Sequence, residues 1–314
     1  MANALFDNAM LSNPTTGRVF IVAKAALANI SEITALYGNN YPDGTPVIYT
    51  TIALAAAKCV AARGDLILVA PGHTESISSA TAITVSISGV SIVGLGQGSQ
   101  RPVVTLDTAA TATINVTAAG VSFKNIVFVA NFADIASCFT LTTAVDFKVD
   151  SCEFRDTSSV LDFLCIVTTD ASNNHADGLA FTNNYVYSLP ATDGAVVSVL
   201  GNLLRLNVSS NVVDKAATND AGHLITMSSK VTGGVRILSN RVSVVGSSGA
   251  AVGILFTGSQ TTGSGMCSDN YVSSLDTTTA LLATAGTGIT FIQNFYTGAA
   301  DKSGAVWPVA DNPA

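Results

Sequence analysis

Four aspartates in the middle of the chain are the first candidates for chemistry. Asp150 and Asp156 are close in sequence, and Asp177 and Asp214 follow at intervals that a repeating fold would bring near them. Two carboxylates about 5–10 Å apart can hydrolyse a glycosidic bond. A single aspartate in a turn more often caps backbone N–H groups. The sequence therefore favours structural roles for these four residues, with polysaccharide cleavage as the alternative.

The three histidines are spaced unlike metal ligands. His73, His175 and His223 are far apart in the chain, and no HxH or HxxxH pair occurs. Each follows turn residues, so we expect their side chains to be solvated. The pair His175 and Asp177 is the one to test for acid–base chemistry. We assign no catalytic residue, no metal ligand and no cofactor.

A glycine-rich segment, Gly94-Leu95-Gly96-Gln97-Gly98, has some likeness to a phosphate-binding loop. It lacks the Lys-Ser/Thr pair of a P-loop, and no helical pattern follows it. We interpret it as a corner between strands.

Composition narrows the class of protein. The chain has 314 residues, of which 11% are charged and 48% hydrophobic, and its net charge is −7. The 14 basic residues are scattered among 21 acidic ones, so we expect no nucleic-acid partner. No apolar run approaches the roughly 20 residues of a membrane span. The first ten residues lack the pattern of a secretory signal, so we expect synthesis in a cytoplasm.

The five cysteines occur without a CxxC pair. They are widely spaced and mostly lie in apolar segments: Cys59, Cys138, Cys152, Cys165 and Cys267. This distribution predicts buried free thiols that pack as small hydrophobic groups.

A repeat organises most of the sequence. Short runs of alternating apolar and polar residues end in asparagine at intervals of 24 to 32 residues, with Cys152 in the same position of one repeat. The predicted row comprises Asn125, Asn184, Asn211, Asn240, Asn270 and Asn294. Short strands and Gly/Asn/Asp turns at this period indicate an all-β parallel β-helix of about eight coils. We expect the asparagines to stack as a structural ladder.

The ends differ from the repeat, which gives three segments. Residues 1–49 are predicted to be an N-terminal arm, with short strands at Arg18–Val22 and Val47–Tyr49, that lies over a neighbouring copy or over the rod. Residues 50–298 form the β-helix, beginning with a capping helix over 51–62 whose N-cap is Thr51. Residues 299–314 form a tail in which Trp307 either closes the last coil or anchors a partner.

Aromatic residues near the Asn positions leave two alternatives open. Tyr185, Tyr187, Tyr271 and Tyr296 either form a partly buried stack or line one face as a sugar-binding stripe.

The segment after the capping helix resembles a known superfamily. Gly64-Asp65, the strand Leu66–Ala70 and the turn Pro71–Glu75 resemble the first coil of right-handed parallel β-helix proteins of the pectin-lyase-like superfamily. Val90–Gly94 is similar to their second coil. The resemblance implies the fold and its right-handed sense. The clustered catalytic acids of the superfamily's enzymes have no counterpart here.

The arrangement, including Gly17–Val22, is also similar to β-helix proteins of bacteriophage virions. This second resemblance implies a non-enzymatic capsid decoration or cement protein on the capsid surface. Its expected partners are the major capsid protein and sister copies, as in a homotrimer. The alternative is a tail spike or fibre that binds or cleaves host polysaccharide.

Overall fold

A right-handed parallel β-helix of about seven turns accounts for the described chain, and only 7% of it is helical. This confirms the predicted fold class, with about one turn fewer than the eight coils expected from the sequence. The computed structural model describes residues 17–27, 30–77, 83–189, 195–215, 223–227, 233–244, 254–256, 264–274, 282–283, 289–297 and 305–307.

Three sheets run along the solenoid, and each complete turn gives one strand to each of them. Sheet 1 has eleven strands, in the order β2 (Ile48–Tyr49), β1 (Val19–Val22), β3 (Leu66–Val69), β6 (Ser91–Gly94), β9 (Ser122–Lys124), β12 (Lys148–Asp150), β15 (Ala180–Thr182), β18 (Asn207–Ser209), β21 (Gly233–Leu238), β24 (Ser264–Ser268) and β27 (Ile289–Ile292). Sheet 2 has ten strands, in the order β29 (Ala305–Trp307), β28 (Asn294–Thr297), β25 (Tyr271–Ser274), β22 (Arg241–Val244), β19 (Val212–Lys215), β16 (Tyr185–Ser188), β13 (Glu153–Asp156), β10 (Val127–Ala130), β7 (Val103–Leu106) and β4 (Thr74–Ile77). Sheet 3 has eight strands, in the order β26 (Leu282–Ala283), β23 (Ile254–Phe256), β20 (His223–Met227), β17 (Ala195–Val199), β14 (Val167–Thr169), β11 (Phe139–Leu141), β8 (Ile114–Val116) and β5 (Ile83–Val85).

The core is a set of apolar columns parallel to the solenoid axis. Alternate residues of a strand point inward, and the parallel register places Ile92, Phe123, Val149 and Phe181 in consecutive turns of sheet 1. All four are fully buried. Phenylalanine rings from the three sheets meet in the middle turns with centroids 5.0 to 6.3 Å apart.

The corner that leads into sheet 1 repeats a left-handed backbone conformation. Seven residues occupy it at equivalent register in successive turns: Gly64, Gly89, Gly120, Asp146, Gly178, Arg205 and Gly234. The first six each lie two positions before a strand, and Gly234 lies within β21. Glycine predominates because a side chain is strained at positive φ. Asp146 and Arg205 are the two exceptions, and their side chains form an ion pair.

The capping helix, α2, is shorter than predicted. It spans Ile52–Ala56 rather than 51–62, and the Thr51 hydroxyl accepts a hydrogen bond from the Leu54 N–H, as expected of its N-cap. The helix ends early because Asp65 accepts a hydrogen bond from the Val60 N–H at 2.7 Å, which turns the chain back toward β3. Ile52, Ala55 and Ala56 of α2 are buried against the end of the core, and Ala53 is partly buried there.

Residues 17–49 extend the solenoid in their described part. β1 pairs in parallel with β3, and β2 pairs with β1, so the two predicted strands are confirmed with slightly different bounds. The helix α1 (Ile30–Tyr37) places Ile33 against Leu66 and Leu68 on the outer side of sheet 1. Residues 1–16 lie outside the described residues, and attachment through the predicted arm 1–49 stays a prediction.

The last described strand, β29, runs antiparallel to β28 and pairs the backbone of Trp307 with Asn294. The side chain of Trp307 lies outside the described part of the chain, so neither of its two predicted roles is tested. The rest of the predicted tail, 299–304 and 308–314, is also outside it.

Candidate functional site

Asp150 lies on the outer face of sheet 1 in a network of hydrogen bonds. One carboxylate oxygen accepts bonds from Thr182 and Asn183, and the other is 3.2 Å from the Lys124 ammonium. Burial raises the pKa of the carboxyl, but the bonds from Asn183, Lys124 and Thr182 outweigh it, so the net pKa is lowered. Asp150 is therefore held as a carboxylate that joins three turns.

The other candidate acids are held at different places around the coil. Asp156 is buried at the end of β13, where it accepts bonds from the N–H groups of Phe163 and Leu189. Asp177 accepts from the Leu204 N–H in the turn before sheet 1. Asp214 accepts from the Tyr185 hydroxyl on the outer face of sheet 2. Each carboxylate thus accepts hydrogen bonds in a different part of the coil.

The histidine expectations need two corrections. Nδ1 of His175 is 2.8 Å from Asp170, so its partner is Asp170 and not Asp177. His73 is fully buried rather than solvated: its Nδ1 accepts a bond from the Lys24 N–H, because β1 brings that amide over the turn. The side chain of His223 is outside the described residues. Within the described ranges, no group of three His, Cys, Asp or Glu residues is placed to hold a metal ion.

The asparagine ladder forms at the corner between sheets 1 and 2. From Asn211 onward, the side-chain Oδ1 of each rung accepts both the backbone N–H and the amide N–H of the preceding rung, at 2.8 to 3.2 Å. Each amide also donates to a carbonyl of sheet 1 in the turn before. The rungs are at most 2% exposed: Asn184, Asn211, Asn240, Asn270 and Asn294. Buried donors and acceptors are thus satisfied from turn to turn.

Asn125 is not a rung of this ladder. The strand register places Asn125 one residue before the rung position, beside Ser151, and its backbone φ is +56°. Ile126 occupies the rung position and Cys152 the next, where the Cys152 N–H donates to Asn184. The one-residue offset arises because the left-handed corner position also accepts asparagine.

Asn125 instead closes the glycine-rich corner. Its amide donates to the carbonyls of Gly94 and Gly96 at 2.8 and 3.0 Å. A Cβ on Gly94 would lie 2.2 Å from the Asn125 carbonyl oxygen, so this approach requires glycine. The interpretation of 94–98 as a corner is confirmed.

A column of buried polar residues was not anticipated from the sequence. Asp156, Ser188 and Lys215 occupy inward positions in consecutive turns at the end of sheet 2. They line a cavity of about 10 Å³ together with Cys165, which is enough for about one water. The signal for it was a break in the apolar alternation at the same position of three repeats.

The outer faces of sheets 1 and 2 hold the accessible features. Sheet 1 has a groove of about 530 Å³ whose floor includes Leu68 and Val93 and whose side carries Lys124 and Lys148. On sheet 2, Tyr185, Tyr187 and Tyr271 point outward and are 37 to 40% exposed.

The observed outer row of aromatic residues differs from the predicted one in its last member. Register pairs Tyr296 with buried Val272, and it is Phe295 that follows Tyr271 in the outer row. The side chain of Tyr296 is among those not described. Both alternatives, the partly buried stack and the sugar-binding stripe, stay predictions.

Comparisons with protein-family models, with curated proteins and with solved structures found no match for this chain. Among the described residues, neither helix has the length and apolar character needed to cross a membrane.

Proposed function

We propose that the protein is a non-enzymatic structural protein of a bacteriophage virion, a decoration protein that binds and stabilises the major capsid shell. The observation that carries this proposal is that the candidate catalytic carboxylates are engaged in structural hydrogen bonds. Asp150, Asp156 and Asp177, the residues best suited to polysaccharide cleavage, act instead as hydrogen-bond acceptors that hold turns together. Such a chain is a rigid block, and its function lies in its surface.

The N-terminal end of the solenoid is the proposed point of attachment. It carries three exposed apolar side chains: Leu36 on α1 is 60% exposed, Leu54 on α2 52%, and Val60 after α2 49%. Burial of apolar area against a shell subunit would supply the binding free energy. Sister copies attached at neighbouring sites would then clamp the shell.

Copy number in purified particles tests the proposal. Quantitative mass spectrometry against the major shell protein is expected to give a ratio near one, or a fixed fraction set by capsid symmetry. A few copies per particle would overturn the decoration proposal and favour the tail spike that binds host polysaccharide. Absence from particles would overturn both virion functions.

Variants test the attachment surface. The double variant Leu36→Ser/Leu54→Ser is expected to bind capsid shells from which the protein has been removed, but to occupy at least about tenfold fewer sites than wild type does. The reason is that the two substitutions remove apolar contacts of the proposed attachment surface. Val160→Ser is the matched control, since Val160 is 65% exposed in the turn after β13, away from the N-terminal end. Equal occupancy for the double variant and wild type would exclude this end as the attachment surface.

A further inference from the structure

The outer face of sheet 2 presents two columns of side chains, one residue of each per turn. The first column reads Val103, Val127, Glu153, Tyr185, Val212, Arg241, Tyr271 and Phe295. The second column reads Thr105, Val129, Arg155, Tyr187, Asp214, Ser243, Ser273 and Thr297.

The first column is unusually apolar for an exposed face. Tyr185, Val212, Tyr271 and Phe295 are each 37 to 42% exposed, and Arg241 is the one residue between them. Single exposed apolar residues are ordinary, but four in one column, interrupted by Arg241 alone, indicate a partner. The row lies on a regular parallel sheet, so a flat partner surface fits it.

The order of the first column is self-complementary. Consider a two-fold axis that runs parallel to the strands and passes between Tyr185 and Val212. Rotation about this axis generates a second copy whose turns run in the reverse order. Each column of one copy then faces the same column of the other copy. Tyr185 of one copy then faces Val212 of the other, and Glu153 faces Arg241. Both contacts occur twice, as an isologous interface requires. The outer pairs are Val103 with Phe295 and Val127 with Tyr271; Val127 is only 5% exposed, so Tyr271 gains little contact there.

We propose that this face joins two copies of the chain in an antiparallel two-fold dimer. The inference does not depend on the proposed function, because it uses only the register and chemistry of sheet 2.

Charges support the antiparallel arrangement. Glu153 is fixed by Arg101 and Arg155 within its own chain, and its two oxygens have further lone pairs for a third donor. In the second column, Tyr187 faces Asp214 and Arg155 faces Ser243, so no like charges oppose each other. Parallel rods would instead place Val212 against the carboxylate of Asp214, whose desolvation the single bond from the Tyr185 hydroxyl offsets only in part.

The size of the face sets the strength of the contact. Eight strands about 4.8 Å apart, each about 13 Å long, cover roughly 500 Å² per copy. The total is about 1,000 Å², at the lower limit for a specific interface. The dimer is therefore expected to dissociate on dilution through the micromolar range.

Complementary charge reversal of the full-length protein tests the pairing. Sedimentation velocity is expected to show a monomer–dimer equilibrium for wild type. Arg241→Glu and Glu153→Arg are each expected to raise the dimer Kd about tenfold or more, since each places like charges opposite one another. An equimolar mixture restores dimers, because each variant supplies the charge that the other lacks. Arg236→Glu, an exposed reversal on sheet 1, is the matched control and leaves the Kd unchanged.

A second pair of variants tests the same interface without altering Glu153 or the arginines bound to it, Arg101 and Arg155. Val212→Asp and Tyr185→Lys are each expected to be monomeric and to form a heterodimer when mixed. Wild type that stays monomeric at millimolar concentration overturns the proposal, as does a mixture that fails to associate while both variants keep the wild-type circular dichroism. Wild-type monomers that bind an oligosaccharide, with loss of binding in Tyr185→Lys, would assign the face to carbohydrate instead.

Discussion

At the scale of single residues, the corner between sheets 1 and 2 divides its work between two positions. The first takes positive φ and is filled by residues that tolerate or favour it, such as Asn183, Ser210 and Asp269. The second is buried and takes asparagine, because one amide group offers both an acceptor and donors to adjacent turns. A residue's position at the corner, more than its type, therefore sets its role.

Removal of one rung of the ladder should destabilise the protein. Asn211→Ala leaves the backbone N–H of Asn184 buried without its acceptor and removes the side-chain bond to the Phe181 carbonyl, which keeps its place in the β15–β18 ladder. The unsatisfied N–H costs about 1–3 kcal/mol and each lost bond about 1 kcal/mol, so we expect a loss of about 2–4 kcal/mol in the free energy of unfolding. Urea denaturation measures it. Asn131→Ala, at an exposed position, should change it by less than about 0.5 kcal/mol.

Glycine should be favourable at the left-handed position of Arg205. Its φ of +61 costs a non-glycine residue about 1–2 kcal/mol. Glycine's greater freedom in the unfolded chain offsets part of the gain, and the exposed pair with Asp146 contributes little. We expect Arg205→Gly to stabilise the protein by about 0.5 kcal/mol, seen as a higher Tm. Arg236→Gly, within a strand, should lower Tm; equal shifts would contradict the argument.

At the scale of secondary-structure elements, Asp65 connects the start of the solenoid. It is 1% exposed and accepts bonds from the N–H groups of Arg18 and Val60 and from the guanidinium of Arg63. One side chain thus fixes β1, the end of α2 and the beginning of β3. This connection explains why residues 17–22 join sheet 1 rather than extend from it.

The Asp65 carboxyl should make stability pH-dependent. Burial alone would raise its pKa, but the bonds from Arg63, Val60 and Arg18 lower it below the ordinary value. The stabilisation is therefore fully present above the unfolded pKa of about 3.9, and is lost as the pH falls through the lower folded pKa.

Asp65→Asn measures that contribution. We expect it to lower the free energy of unfolding at pH 7 by about 2–4 kcal/mol, as for the loss of charge-assisted bonds, and to reduce the difference between pH 7 and pH 3. Asp107→Asn is the control, since its carboxylate accepts from the neighbouring Thr108 hydroxyl. Unchanged pH dependence in Asp65→Asn would contradict the assignment.

At the scale of the whole molecule, stability is shared among turns that contact only their neighbours. Apolar columns, the ladder and the left-handed corners all repeat from turn to turn, so each turn is held by the one before and the one after. α2 and β1 cover the first turn, and β29 pairs with the last strand of sheet 2. The five cysteines are buried and free, as predicted from their spacing.

The thiols should be unreactive until the chain unfolds. Burial raises the pKa of Cys59, Cys152 and Cys267 to about 12, and the thiolate is the reactive form. Native protein at pH 8 should therefore not react with a disulfide reagent such as Ellman's. Denatured protein should react at all five thiols and release five equivalents of thionitrobenzoate per chain. A Thr84→Cys variant, exposed on sheet 3, is the positive control and should react at once. Fast reaction of native wild type would contradict the burial of these groups.

The sequence alone determined the solenoid, its period, the strands of the first turn and the corner at 94–98. These features follow from local alternation and turn residues, and repetition of the same signal in every turn makes the pattern clear.

Only the tertiary structure decided which residues meet between turns. Stacking depends on register between segments 24 to 32 residues apart, and a shift of one residue exchanges the roles of two adjacent positions. Asn125 and Ile126 differ in this way, although they are adjacent in the corner between β9 and β10. The same holds for the partner of His175 and for the buried column of Asp156, Ser188 and Lys215. The self-complementary face of sheet 2 exists only because parallel register aligns residues that are separate in the chain.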